Sequence, residues 1–131
     1  VGGPGEAAVA LRLSQDPGTK LLDWTGRGTV ASYWRLFAGA RFTVSNDSGL
    51  AHVASLCGSP VQIVWGAADP RHTKPLGPGT VRIAFNPVPC WPCERNTCSQ
   101  PQATQVQCLR GILPEIVWRE LKTFSRECLV R

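Results

Sequence analysis

Short apolar runs alternate along the chain with segments whose apolar residues recur at helical spacing. Gly2 to Gly5 form a Gly/Pro turn, and Ala7, Ala8, Leu11 and Leu13 suit a short helix stopped by Asp16-Pro17-Gly18. Leu21 to Trp24 predict a short strand and Thr25 to Gly28 a loop. Thr29 reads as the N-cap of a helix with Val30, Trp34, Phe37 and Ala38 on one face, ended by Gly39. Arg41 to Ser45 read as a buried strand, Asn46 to Gly49 as a tight turn, and Leu50 to Leu56 as a helix broken by Gly58-Ser59-Pro60. Val61 to Trp65 and Val81 to Phe85 are two further strands. The last helix starts near Pro114, a residue suited to a first helical position. Its stripe is Ile116, Val117, Leu121, Phe124 and Cys128.

Strand–helix–strand repetition predicts an α/β fold: a Rossmann-like parallel sheet with helices on both faces. Val1 reads as the tail of a strand already in progress, so a first strand and helix are expected to be missing. Residues 1–131 read as one domain, incomplete at its N-terminus. The Pro-rich, Cys-rich loop 87–108 lies within it, because the final helix still needs the sheet to bury its stripe.

Composition changes this picture in two places. The chain has no methionine, which reads as a fragment of a longer protein, and no apolar run long enough to span a bilayer. Its formal charge of +5 suits an anionic partner. The basic residues are scattered and not run together, so nucleic acid is not expected.

Chemistry concentrates at the turn after the third predicted strand. Phe42-Thr43-Val44 runs into Asn46-Asp47-Ser48-Gly49, and a helix follows. A helix N-terminus then stands at the carboxyl end of a parallel strand, where open α/β sheets bind ligands. The N–H groups of Ser48, Gly49 and Leu50, with the helix dipole, favour a phosphate. Gly49 has no Cβ to block close approach, and His52 lies on the same helical face as Ser48. Asp47 would be repelled by phosphate. It fits as a helix cap or as an acceptor of sugar hydroxyls. An ordinary capped helix start would look the same in isolation.

The run Ser45-Asn46-Asp47-Ser48-Gly49-Leu50-Ala51-His52-Val53-Ala54 closely resembles the signature of the glycosyltransferase family 9 heptosyltransferases. Four more segments resemble the family in the same order: Gly2-Gly3-Pro4-Gly5-Glu6, Asp23-Trp24-Thr25-Gly26, the stretch from Val64 to Pro75 with its Gly-x-x-Asp-Pro loop, and the cysteine region through Leu113-Pro114-Glu115. The resemblance implies the C-terminal, donor-binding half of a GT-B fold. It implies heptose transfer from ADP-heptose to the lipopolysaccharide core, with inversion at the anomeric carbon. The backbone of Ser48, Gly49 and Leu50 would hold the diphosphate, with Asp47 at the sugar or phosphate and His52 in support. Glu6 would meet the ribose hydroxyls, and Thr25, Gly26, Arg27 and Gly28 would lie near the adenine. The resemblance also implies a bacterial cytoplasmic location, with contact to the inner membrane as one option.

Two departures limit the inference. The family's catalytic base belongs to the N-terminal domain, so no catalytic residue is expected in this chain, and the acceptor would bind through that missing domain. A phosphate-contacting lysine of the family also has no counterpart. The chain alone is expected to be inactive, with weak donor binding and no cofactor required for catalysis.

Cys90, Cys93, Cys98 and Cys108 form Cys-x2-Cys-x4-Cys-x9-Cys within the loop. Three readings stand: a structural zinc site, two disulfides, or unpaired thiols. The Cys-Trp-Pro-Cys run does not open a helix after a first strand, so it does not match a thioredoxin site. Cys57 and Cys128 fall in apolar periodic segments and read as small core residues. Two rival readings of the whole chain remain: another nucleotide-sugar GT-B transferase, or a non-enzymatic, zinc-stapled interaction module.

Overall fold

The computed structural model describes residues 1–18 and 20–129, which form two compact units that meet in sequence between residues 35 and 36.

In the first unit, α1 (Ala7–Ser14) follows a single 3-10 turn at Pro4–Glu6. Val1 to Gly3 carry no regular structure, and neither do Leu21 to Trp24, where a short strand was expected. Asp23 explains the second difference. Its Oδ1 accepts the Thr25 N–H at 2.8 Å, which closes a turn where a strand would need a ladder partner. Helix α2 (Val30–Ala38) begins as expected after Thr29. The Thr29 hydroxyl accepts from the Ser32 amide, and the Ser32 hydroxyl accepts from the Thr29 amide, a reciprocal cap. The buried face of α2 is Tyr33 and Phe37, while Val30 and Trp34 are largely exposed. Of the four residues expected on the inner face, Phe37 is buried and Val30, Trp34 and Ala38 are exposed, with Tyr33 inside instead, because apolar residues lie on two sides of this helix.

The second unit is built on three parallel strands, β1 (Thr43–Asn46), β2 (Val61–Val64) and β3 (Val81–Ala84), in the spatial order β1-β2-β3. Thr43 pairs with Val61, and Val61 with Val81. Helix α3 (Gly49–Leu56) links β1 to β2 and packs against both. Its inward residues are small, with Ala51, Ala54 and Ser55 all buried, so the helix can lie close to the sheet. β2 is the centre of the core: Val61, Ile63 and the adjoining Trp65 are 0% exposed. β1 alternates half-buried and exposed positions and is not the buried strand its composition suggested, since it has a neighbour on one side only.

Two short helices were not anticipated. α4 (Pro70–Thr73) and α5 (Gln107–Arg110) are one turn each, too brief to leave a periodic signature. The last helix, α6 (Pro114–Leu129), starts at the expected proline. Phe124 is its buried anchor and meets Phe42 edge-on, with ring centroids 5.0 Å apart. Arg82 lies over the same ring at 4.8 Å and pairs with Glu127. Side chains alternate along strands, so Val44, Gln62 and Arg82, which pair across the sheet, share one face, and Arg82 meets α6 there. Gln62 is 1% exposed, and its amide has no hydrogen-bond partner among the described residues.

Candidate functional site

β1 ends at Asn46, two residues turn, and α3 begins at Gly49. Ser48 occupies the N-cap in an extended conformation, but its side chain makes no capping bond. Its hydroxyl lies 3.2 Å from that of Ser45 instead. No side chain therefore closes the start of α3, and the amide end of the helix dipole faces outward. Ser48 and Gly49 are exposed, and Leu50 and His52 are half-buried. A Cβ placed on Gly49 would meet nothing within 4 Å. The protein itself leaves room there, so any need for glycine must come from what approaches the backbone.

Asp47 does not cap the helix. Its backbone amide donates to the Val64 carbonyl at 3.2 Å, which ties the turn to the end of β2 and leaves the carboxylate exposed. Neighbouring protein atoms displace enough water to push its carboxyl above the usual range, and the positive character of His52 opposes this. Asp47 and His52 are thus close enough to interact electrostatically.

The first unit brings together the other two predicted segments. The Gly26 amide donates to the Gly2 carbonyl at 2.9 Å, joining the Thr25–Gly28 turn to the Gly2–Glu6 turn. Gly26 holds a φ of 68°, and its Cα-side space is occupied by Pro4. Thr25 is held by Asp23, whose carboxyl is lowered chiefly by the hydrogen bond from the Thr25 backbone. The Arg27 amide donates to the Trp24 carbonyl at 3.2 Å, and Gly28 sits against the Tyr33 ring. The Tyr33 hydroxyl lies within 3.4 Å of the carbonyls of both Gly2 and Trp24, so one phenol bridges both turns. Glu6 accepts the Gly3 amide through Oε2 at 2.6 Å. Part of its hydrogen-bonding capacity is therefore spent on holding its own turn.

Asp69 has a structural part that sequence reading did not single out. It is 2% exposed and caps α4, accepting the Arg71 amide at 2.9 Å. The Arg71 guanidinium grips both its oxygens, and these bonds hold its carboxyl down to about 2. Asp-Pro-Arg in the loop after β2 was the available signal, since Asp before Pro at a first helical position marks a cap.

The four clustered cysteines line one cavity of about 560 Å³. Each is a free thiol. A zinc site needs sulfurs converging on one point at about 2.3 Å. Among the described residues, no group of three or more His, Cys, Asp or Glu side chains could hold a metal ion. The loop is pinned to the chain after β2: Cys93 and Glu94 amides donate to the Ala67 carbonyl, and Trp91 Nε1 donates to the Gly66 carbonyl at 2.9 Å.

The parallel sheet with its flanking helices defines an α/β protein, and open sheets of this kind offer the carboxyl ends of their strands as the place for a ligand. Comparison with known proteins makes this particular. The family model described as glycosyltransferase family 9 (heptosyltransferase) matches residues 4–104. The chain belongs to glycosyltransferase family 9. It is 33% identical over 73 residues to lipopolysaccharide heptosyltransferase 1 of Pseudomonas aeruginosa, covering 56% of this chain and 20% of that protein. It is 36% identical over 69 residues to lipopolysaccharide heptosyltransferase 1 of Salmonella typhimurium, covering 53% of this chain and 21% of that protein. The chain thus spans about a fifth of the length of these relatives. The crystal structure of a family 9 glycosyl transferase from Veillonella parvula superposes with a TM-score of 0.71 at 20% identity, over 96% of this chain and 35% of that one. That likeness shows the parallel α/β fold. No helix among the described residues is long and apolar enough to cross a membrane.

Proposed function

We propose that this chain is the donor-binding part of a heptosyltransferase that moves heptose from ADP-heptose to the lipopolysaccharide core with inversion. The observation that carries the reading is the start of α3, open and uncapped, inside the stretch that matches the family. The amides of Ser48, Gly49 and Leu50 would bind the diphosphate, and the helix dipole would stabilise the negative charge that builds on it as the sugar leaves. His52 donates to a phosphate oxygen. Asp47, clear of any capping duty, accepts hydroxyls of the sugar. Glu6 and the turn from Thr25 to Gly28 are assigned to the nucleoside. In a direct displacement, a base outside this chain deprotonates the acceptor hydroxyl, which attacks C1 as ADP departs. The lipopolysaccharide acceptor would bind outside this chain as well, and the enzyme would work in the cytoplasm beside the inner membrane.

Calorimetry with ADP and ADP-heptose tests the assignment. Binding that is lost in Asp47→Ala and Gly49→Val supports it. Undiminished binding in both variants would sink it, and preference for a different nucleotide sugar would move the chain to another donor within the same fold.

A further inference from the structure

Between Asp47 and Glu94 the sequence holds one carboxylate, Asp69, among the cations Arg71, Lys74 and Arg82. Arg82 pairs with Glu127 on α6. Asp69, Arg71 and Lys74 lie together in the loop after β2, and the donor assignment does not use them. That loop leaves the carboxyl edge of the parallel sheet, where such sheets receive ligands. Asp69 is buried, whereas the Arg71 side chain is 78% exposed. The pair is neutral as a unit, but it is oriented: the carboxylate lies inside and the positive end meets solvent. Lys74, three residues after Arg71, is exposed and makes no ion pair among the described residues, so it adds a net charge.

The guanidinium is also fixed in place. Arg71 Nε donates to both Asp69 oxygens at 3.0 Å, and Nη2 donates to Oδ2 at 2.6 Å. Nη1 makes no hydrogen bond among the described residues. A free surface arginine gives up rotamer freedom when it binds. One already held by a buried carboxylate gives up less, and this one keeps an amino group to offer. The backbone beneath is anchored too. Buried Trp65 donates through Nε1 to the Ala68 carbonyl at 2.8 Å, and the His72 and Thr73 amides both donate to the Asp69 carbonyl.

We propose that Arg71 and Lys74 form a phosphate-receiving clamp, with Asp69 as the residue that positions Arg71. Arg71 Nη1 donates to one phosphate oxygen and Lys74 Nζ to another. A guanidinium and an ammonium side by side suit a multiply charged phosphate better than a single carboxylate. The phosphate belongs to the donor's diphosphate or to a phosphorylated acceptor, and both present the same oxygens. The clamp is made of side chains and does not rest on the role given to the start of α3.

The test is calorimetry on the intact chain with pyrophosphate, glucose 6-phosphate and acetate. At least one of the two phosphates is expected to bind more tightly than acetate. Arg71→Gln is expected to weaken that binding about tenfold, Lys74→Gln by roughly threefold, and Arg71→Lys less than Arg71→Gln. Lys74 has no ion pair to lose, so its variant separates anion binding from folding, and melting curves confirm that each variant is folded. Saturating ADP identifies the source: a phosphate probe it displaces marks the donor's diphosphate, and a probe that still binds through Arg71 marks the acceptor's. A chain that binds a phosphate probe through Arg71 but not ADP keeps the clamp and loses the donor assignment. The proposal is overturned if the chain binds neither phosphate probe better than acetate. It is equally overturned if Lys74→Gln and Arg71→Gln, both folded, bind as the wild type does, or if Arg71→Gln alone weakens binding and Arg71→Lys is no better.

Discussion

The Gly26 amide and the Gly2 carbonyl meet at 2.9 Å, and this contact brings together two turns that lie over twenty residues apart in sequence. Both turns carry residues assigned to the nucleoside, Glu6 on one and Thr25 to Gly28 on the other. Gly26 can make the bond because it holds a φ of 68°. A Cβ there would also press on Pro4 Cα at 3.3 Å. Gly26→Ala is expected to lower stability by about 1–2 kcal/mol, the usual cost of a left-handed non-glycine residue. Denaturant unfolding measures it, and an unchanged midpoint would show that the turn relaxes freely.

Gly49→Ala separates the two roles of glycine at the start of α3. Open space around Gly49 predicts that the substitution leaves stability unchanged or raises it by up to about 1 kcal/mol. ADP binding is expected to weaken all the same, because the new methyl group would stand where the proposed site receives the diphosphate. Melting curves and calorimetry on the same sample check both halves.

Gln62 predicts a gain. Its buried amide lacks a hydrogen-bond partner among the described residues, on a face shared with Arg82. Gln62→Leu keeps most of the volume and removes the desolvated amide. Stability is expected to rise by about 1–3 kcal/mol. A lower melting temperature in this variant would show that the amide is satisfied in solution.

Asp69 predicts a pH dependence with a definite sign. Its carboxyl, 3.8 when free, is held at about 2 by Arg71. A lowered acid stabilises the fold where it is ionised in both states. The contribution is therefore full above 3.8 and is lost as pH falls toward 2. Thermal melts of the wild type and Asp69→Asn should differ most at neutral pH, with the wild type higher. The gap should close across that acid window. A constant gap from neutral pH down to 2 would contradict the ion pair.

Much of the second unit was legible in the sequence because its elements have strong local causes. Val61 to Trp65 is a continuous apolar run, and Pro114 opens a helix with a long apolar stripe. The turn at Asp47 stood out through its spacing and its resemblance to a known family. The rest failed for physical reasons. Leu21 to Trp24 have strand-like residues, but the hydrogen bond from Thr25 to Asp23 takes the backbone into a turn. α4 and α5 are single turns with no period to detect. Asp69 caps α4 and pairs with Arg71 through polar contacts, and nothing in an apolar pattern reports those. The cavity formed by the cysteine loop depends on three hydrogen bonds to Gly66 and Ala67, which no spacing of cysteines encodes.

Asp47 hangs from the Val64 carbonyl, and Val64 ends the most deeply buried strand of the sheet. The position of the turn proposed for the donor is therefore tied to the seating of β2. Trimming Ile63 would leave a void in the packing of that strand, and any change in its seating would reach the turn through the Asp47 amide. In this chain a loss of affinity can begin in the core.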